Sequence, residues 1–145
     1  MPIIYVTIKA SDDVQNHLPT SIDAFLLNAA DVLAVADFIH SNSAEDDLVI
    51  ASAPIAAILE RPSADFQMAV VAMGFDAIHL PHDLPPDRFA FNSNFQLARY
   101  VVVDNLWRNW GAVHMPAVIS ILETVEQWEL VFETGAIQVY ENPEQ

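Results

Sequence analysis

The run Arg99 to Val103 (RYVVV), closed by Asp104, constrains this chain more than any other stretch. Consecutive β-branched residues favour a strand, and one that is apolar along its length has to be covered on both faces. Leu48 to Ala51 (LVIA) is a second run of this buried kind, and Ile3 to Ile8 (IIYVTI) a third. The stretches between them carry helical periodicity. From Ile22 to His40, Phe25, Leu26, Ala29, Ala30, Leu33 and Ala36 recur at helical spacing. Thr20 or Ser21 can cap this segment as one helix; alternatively two helices abut near Asp31, with Asn28 capping the second. Pro54 opens a helix to Glu60. Ser63 is expected to cap Ala64 to Met73, which Gly74 stops.

Ala77 to Leu80 is expected to be a short strand, followed by a long irregular connection from Pro81 to Asn94. Met115 to Gln127 is expected to be a helix opened by Pro116. Trp128 to Phe132 and Ala136 to Tyr140 are expected to be strands joined by a tight turn through Thr134 and Gly135, an antiparallel hairpin. Alternating strands and helices predict an α/β fold: a three-layer, mainly parallel sheet flanked by helices, with that C-terminal antiparallel β-hairpin. The expected organisation is a strand and linker over residues 1–20 and a single α/β domain over residues 21–143.

Composition narrows the function classes. The 145 residues are 53% hydrophobic, and 20 acidic side chains stand against 5 Lys and Arg, for a formal net charge of −15. Nucleic acid is excluded as a partner because phosphate binding needs clustered cations. An anionic membrane surface would repel the chain. Without cysteine, there is no disulfide and no thiol chemistry. Gly74, Gly111 and Gly135 are isolated, so neither GxGxxG nor a Walker A loop can form, and no cofactor is expected. Lys9 has no device to lower its pKa for Schiff-base chemistry. No run reaches the roughly 18 apolar residues of a membrane span.

The richest chemistry follows the clearest strand. Asp104, Asn105, Trp107, Arg108, Asn109 and Trp110 offer a carboxylate, amides, a guanidinium and two indoles where ligands of open α/β sheets bind. Asp104, Asn105, Trp107, Arg108 and Trp110 are the candidate sugar-binding residues, with hydroxyls bonded to the polar groups and C–H faces packed on indole. The competing reading makes the tryptophans anchors of the crossover and Arg108 a counter-charge. His79, His82 and Asp83 are weak candidates for a metal, because Pro81 prevents a regular helix from aligning the imidazoles. His114, before Pro116, pairs with Asp104 in an acid–base reading that lacks a nucleophile. Glu123 and Glu126 share a solvated helix face, and Arg61, Arg88 and Arg99 are expected to be counter-charges.

Several segments together carry a resemblance: Ala34-Val-Ala-Asp37-Phe38-Ile39, Asp47-Leu-Val-Ile-Ala51-Ser52, Ala64-Asp65-Phe66-Gln67-Met68-Ala69, Tyr100-Val-Val-Val-Asp104-Asn-Leu-Trp107-Arg-Asn-Trp110 and Val131-Phe-Glu-Thr-Gly135-Ala-Ile-Gln-Val-Tyr140-Glu-Asn-Pro143. In this order they resemble the soluble C-terminal region of bacterial polytopic membrane glycosyltransferases similar to dolichyl-phosphate-mannose protein mannosyltransferases. The resemblance implies a non-catalytic, extracytoplasmic accessory domain that binds sugar acceptor or carrier. It makes Ile3 to Ile8 a membrane-proximal remnant and carries over no catalytic residue. It implies a parent membrane domain as partner. Two other classes stay open: a free-standing module that dimerises through its apolar surface, and a small hydrolase using a metal at His79, His82 and Asp83.

Overall fold

The computed structural model describes residues 27–145, so the expected strand at Ile3 to Ile8 and the residues 1–20 segment lie outside the described residues. Asn28 does cap a helix: its side chain accepts from the Ala30 and Asp31 amides at 2.9 and 3.3 Å. That fixes the start of α1 (Ala29–Asn42), which buries Val35, Ala36 and Ile39. β1 (Val49–Ala51) is wholly buried and leads into α2 (Ala53–Ala56), where Pro54 suits the first turn. β2 (Ser63–Asp65) then runs straight into α3 (Phe66–Ala72). Gly74 follows at φ +86°, a conformation that glycine adopts without strain.

A long connection follows, with single 3₁₀ turns at Pro86–Arg88 and Phe95–Leu97, before β3 (Tyr100–Val103). A π-helical turn at Trp107–Gly111 continues into α4 (Ala112–His114) and α5 (Pro116–Val125). β4 (Glu129–Thr134) and β5 (Ile137–Glu141) complete the sheet.

The five strands lie in the order β2-β1-β3-β5-β4. β1 pairs parallel with β2 and β3, while β5 pairs antiparallel with β3 and β4. The α/β class holds, but the sheet is mixed rather than mainly parallel. β5 turns back after β4 and inserts beside β3, with Val102 opposite Val139. A register irregularity falls between Leu130 and Phe132.

Strand alternation sorts the side chains into two cores. Ile50, Val101 and Val103 join Phe66, Val70, Trp107, Val118 and Ile121 on the α3 and α5 face. Val49, Ala51, Tyr100 and Val102 join Val35, Ile39 and Ile55 on the α1 and α2 face. The sheet is thus covered on both sides, as the apolar runs require.

Three local expectations change. Ser63 does not cap the helix that follows, because residues 63–65 pair with Val49 to Ala51, and its hydroxyl donates to the Ala56 carbonyl at 2.8 Å instead. Asp65 caps α3 instead, its Oδ1 accepting from the Gln67 and Met68 amides at 2.7 and 3.2 Å. Ala77 to Leu80 is a turn, since no strand of the sheet takes it as a neighbour. The helix at Pro54 ends at Ala56, well short of Glu60.

Gly135 connects β4 to β5 at φ +55°, and a β-carbon there would collide with the Asp31 carboxylate. That carboxylate accepts from the Thr134 hydroxyl at 2.7 Å, tying α1 to the end of β4. Gly135→Ala is therefore expected to cost about 2 kcal/mol or more in urea unfolding, from left-handed strain plus collision. Gly74→Ala, which meets nothing within 4 Å, should cost less. Equal losses would show that the Asp31 contact yields freely.

Candidate functional site

The two connections that leave β1 and β3 diverge. α2, after β1, packs Ile55 into the α1 face, whereas Trp107 and α5, after β3, pack on the opposite face. Neighbouring parallel strands whose connections leave on opposite sides open a crevice at their carboxyl ends, the usual ligand position in such sheets. A cleft of about 250 Å³ occupies this place. Ala53 and Pro54 from the end of β1, Asp65 to Gln67 from the end of β2, and Leu106 from the end of β3 line it, together with His79 and Trp110.

The Ser52 hydroxyl donates to the Asp104 carboxylate, joining the loops that follow β1 and β3. Both residues are fully buried. The other Asp104 oxygen accepts from the Leu106 and Trp107 amides at 2.8 and 3.4 Å, holding the turn that follows β3. Burial pushes the Asp104 carboxyl above its ordinary pKa, against the lowering effect of these hydrogen bonds.

The five candidate sugar-binding residues divide. Trp107 is fully buried, with its ring 4.9 Å from that of Phe66, and its indole N–H has no acceptor among the described residues. Arg108 reaches Glu126 at 2.9 Å and Gln138 at 2.7 Å, linking α5 to β5. Asn105 is half-buried beside Asp104. Of the five, only Trp110 lines the cleft. Asp104 and Trp107 are enclosed and do not line the cleft. Gly111 permits this arrangement: a β-carbon there would come within 3.1 Å of the Phe66 ring.

The histidine segment splits as well. His79 lies nearly parallel to Trp110, 5.3 Å between ring centroids, and its backbone N–H donates to Gln67 Oε1 at 2.9 Å. His82 turns to Asp76 at 3.0 Å, and the Asp83 amide donates to the same carboxylate at 3.1 Å. The Asp83 amide first, and His82 second, hold Asp76 below its ordinary pKa. Among the described residues no group of three His, Asp or Glu side chains is placed to hold a metal ion. His114 packs against Trp110 at 5.4 Å, while the Asp104 carboxylate is engaged by Ser52 and backbone amides.

Sequence reasoning missed Asp65 and Gln67. The available signal was Asp65 standing directly before the helical stretch, a better N-cap position than Ser63.

Asp104→Ala should lower stability by about 1–3 kcal/mol, because it strands the Ser52 hydroxyl and two buried amides. Asp104→Asn tests the charge separately. A carboxyl whose folded pKa is raised stabilises the fold fully below its unfolded pKa, and that contribution is lost as pH rises through the folded pKa. Unfolding free energies should therefore move in favour of Asp104→Asn, relative to wild type, as pH rises from about 4 to 8. A gap that stays constant would show that Asp104 carries no burial penalty.

A scan against protein-family models found no match for this chain, and searches of curated proteins and of solved structures found none either.

Proposed function

We propose that this chain is a non-catalytic carbohydrate-binding module, acting as an extracytoplasmic accessory domain of a membrane glycosyltransferase. The cleft at the carboxyl ends of β1, β2 and β3 carries this reading. Its apolar wall of Phe66, Leu106 and Trp110 suits the C–H face of a sugar ring, and Asp65 and Gln67 supply hydrogen-bonding groups for hydroxyls. The described lining of the cleft contains no Ser, Thr or Tyr hydroxyl, and that of Ser52, next to Ala53, is buried and bonded to Asp104. The segment resemblance supplies the link to a membrane enzyme. No described helix is long and apolar enough to cross a membrane, and in this reading the spans belong to the parent.

A second reading, an interaction module, is favoured by a separate apolar groove of about 400 Å³ between the end of α3 and the start of α5. Phe75 and Ile78 beside it are 55% and 48% exposed. Either the parent domain or a second copy of the chain would cover this surface. Sedimentation over a range of concentrations separates the two: self-association supports the second copy, and a strict monomer removes it.

The sugar reading is tested by NMR titration with neutral methyl glycosides and short oligosaccharides. The Trp110 indole and Gln67 side-chain resonances should shift, and Trp110→Ala should weaken binding by about tenfold or more. Resonances of the cleft that stay unmoved by every saccharide would overturn the reading.

A further inference from the structure

Gln67 is nine-tenths buried in the wall of the cleft. Its carboxamide orientation is set by the His79 N–H, which donates to Oε1 at 2.9 Å. The other end of that amide, Nε2, carries two N–H donors and has no hydrogen-bond partner among the described residues. Nε2 is not among the enclosed unpaired atoms of the described residues, so this donor is open to solvent and within reach of an acceptor on a ligand.

Asp65, two residues earlier, offers the opposite polarity. Its Oδ1 is spent on the Gln67 and Met68 amides, at 2.7 and 3.2 Å. Oδ2 has no partner among the described residues and accepts only. Asp65 and Gln67 both line the cleft, and the bond from the Gln67 amide holds the Asp65 carboxylate at the start of α3, the end of the cleft to which both residues belong.

We infer that this end of the cleft recognises a vicinal diol on a neutral sugar: one hydroxyl donates to Asp65 Oδ2 and its neighbour accepts from Gln67 Nε2. The inference rests on the carbohydrate reading above and narrows it. Neutrality follows from the lining, which contains Asp65 and neither Lys nor Arg, on a chain whose formal net charge is −15. A phosphate or uronate at this position would face the Asp65 carboxylate with neither Lys nor Arg among the described lining residues to offset it. Phe66 and Trp110 then cover the apolar side of the ring whose hydroxyls the polar pair holds.

The probes are methyl α-D-glucopyranoside, methyl α-D-mannopyranoside and methyl β-D-galactopyranoside, each with its single-deoxy analogues, and uronic-acid and phosphate counterparts. Affinities come from NMR titration of the full chain. Asp65→Asn retains the capping oxygen for α3 but replaces the acceptor with a donor. Gln67→Glu retains an acceptor for the His79 N–H but removes the donor. Thermal melting identifies which variants are folded, and the single-deoxy analogues test the same contacts on the unaltered protein.

The expected result is binding of at least one neutral glycoside, weakened about tenfold or more by Asp65→Asn, by Gln67→Glu and by loss of either hydroxyl of one vicinal pair. Anionic counterparts should bind more weakly than the neutral glycoside. If a neutral glycoside binds in the cleft but folded variants and deoxy analogues stay within about twofold, the diol clasp is wrong while the carbohydrate reading survives. Tighter binding of the anionic probes overturns the clasp in the same way. If no glycoside perturbs the cleft, the carbohydrate reading fails and takes the clasp with it.

Discussion

The hydrogen bond from the Ser52 hydroxyl to the buried Asp104 carboxyl holds together the place where the chain's path divides. β1 and β3 lie side by side, yet the segments that leave them pack on opposite faces of the sheet. A gap between those segments is forced by topology. The Ser52–Asp104 bond ties the two segments together beside Ala53 and Leu106, which line the cleft. The same carboxylate also fixes the Leu106 and Trp107 amides, so one side chain sets both the spacing of two loops and the start of the π-helical turn.

The cleft walls follow from that placement. Trp107 fills the core behind Phe66, Phe66 forms part of the cleft, and Gly111 lets the turn approach that ring closely. Trp110, one helical step on, then reaches the opening and meets His79 from the loop after α3. Burial of Asp104 is unfavourable for its ionised form, and the three hydrogen bonds offset only part of that cost. A buried polar group is thus retained where an apolar residue could not hydrogen-bond the two loops together.

How much of this was legible depends on which forces leave a mark in local sequence. The strands at Val49 to Ala51 and Tyr100 to Val103, the Asn28 cap and the Pro116 helix start were all readable, because each rests on propensity or capping chemistry within a few residues. Ser63 to Asp65 was not. Three residues carry no periodicity, and only pairing with β1 turns them into a strand. Ala77 to Leu80 shows the converse, a strand-like composition with no partner in the sheet. The mixed sheet was missed because residue composition does not say which strand of an antiparallel pair lies next to β3.

Of the candidate segment, Leu106 and Trp110 line the cleft at the carboxyl ends of the parallel strands, while Asp104 and Trp107 are enclosed. The segment from Asp104 to Trp110 does border the crevice, as the end of a buried strand should. Its carboxylate and first indole have the chemistry of recognition groups in sequence, and their full burial is set by tertiary packing that the sequence does not display. Asp65 and Gln67 face the cleft because a distant strand pairing places the start of α3 beside it, information that no local pattern carries.

The cleft at the carboxyl ends of β1, β2 and β3 is the proposed sugar site. The most direct measurement is a crystal structure of the protein with a neutral methyl glycoside bound. It should show the ring against Trp110 and Phe66, with adjacent hydroxyls on Asp65 Oδ2 and Gln67 Nε2 and with Asp104 still enclosed. A glycoside seated elsewhere, or an Asp104 that leaves Ser52 to contact the sugar directly, would contradict it.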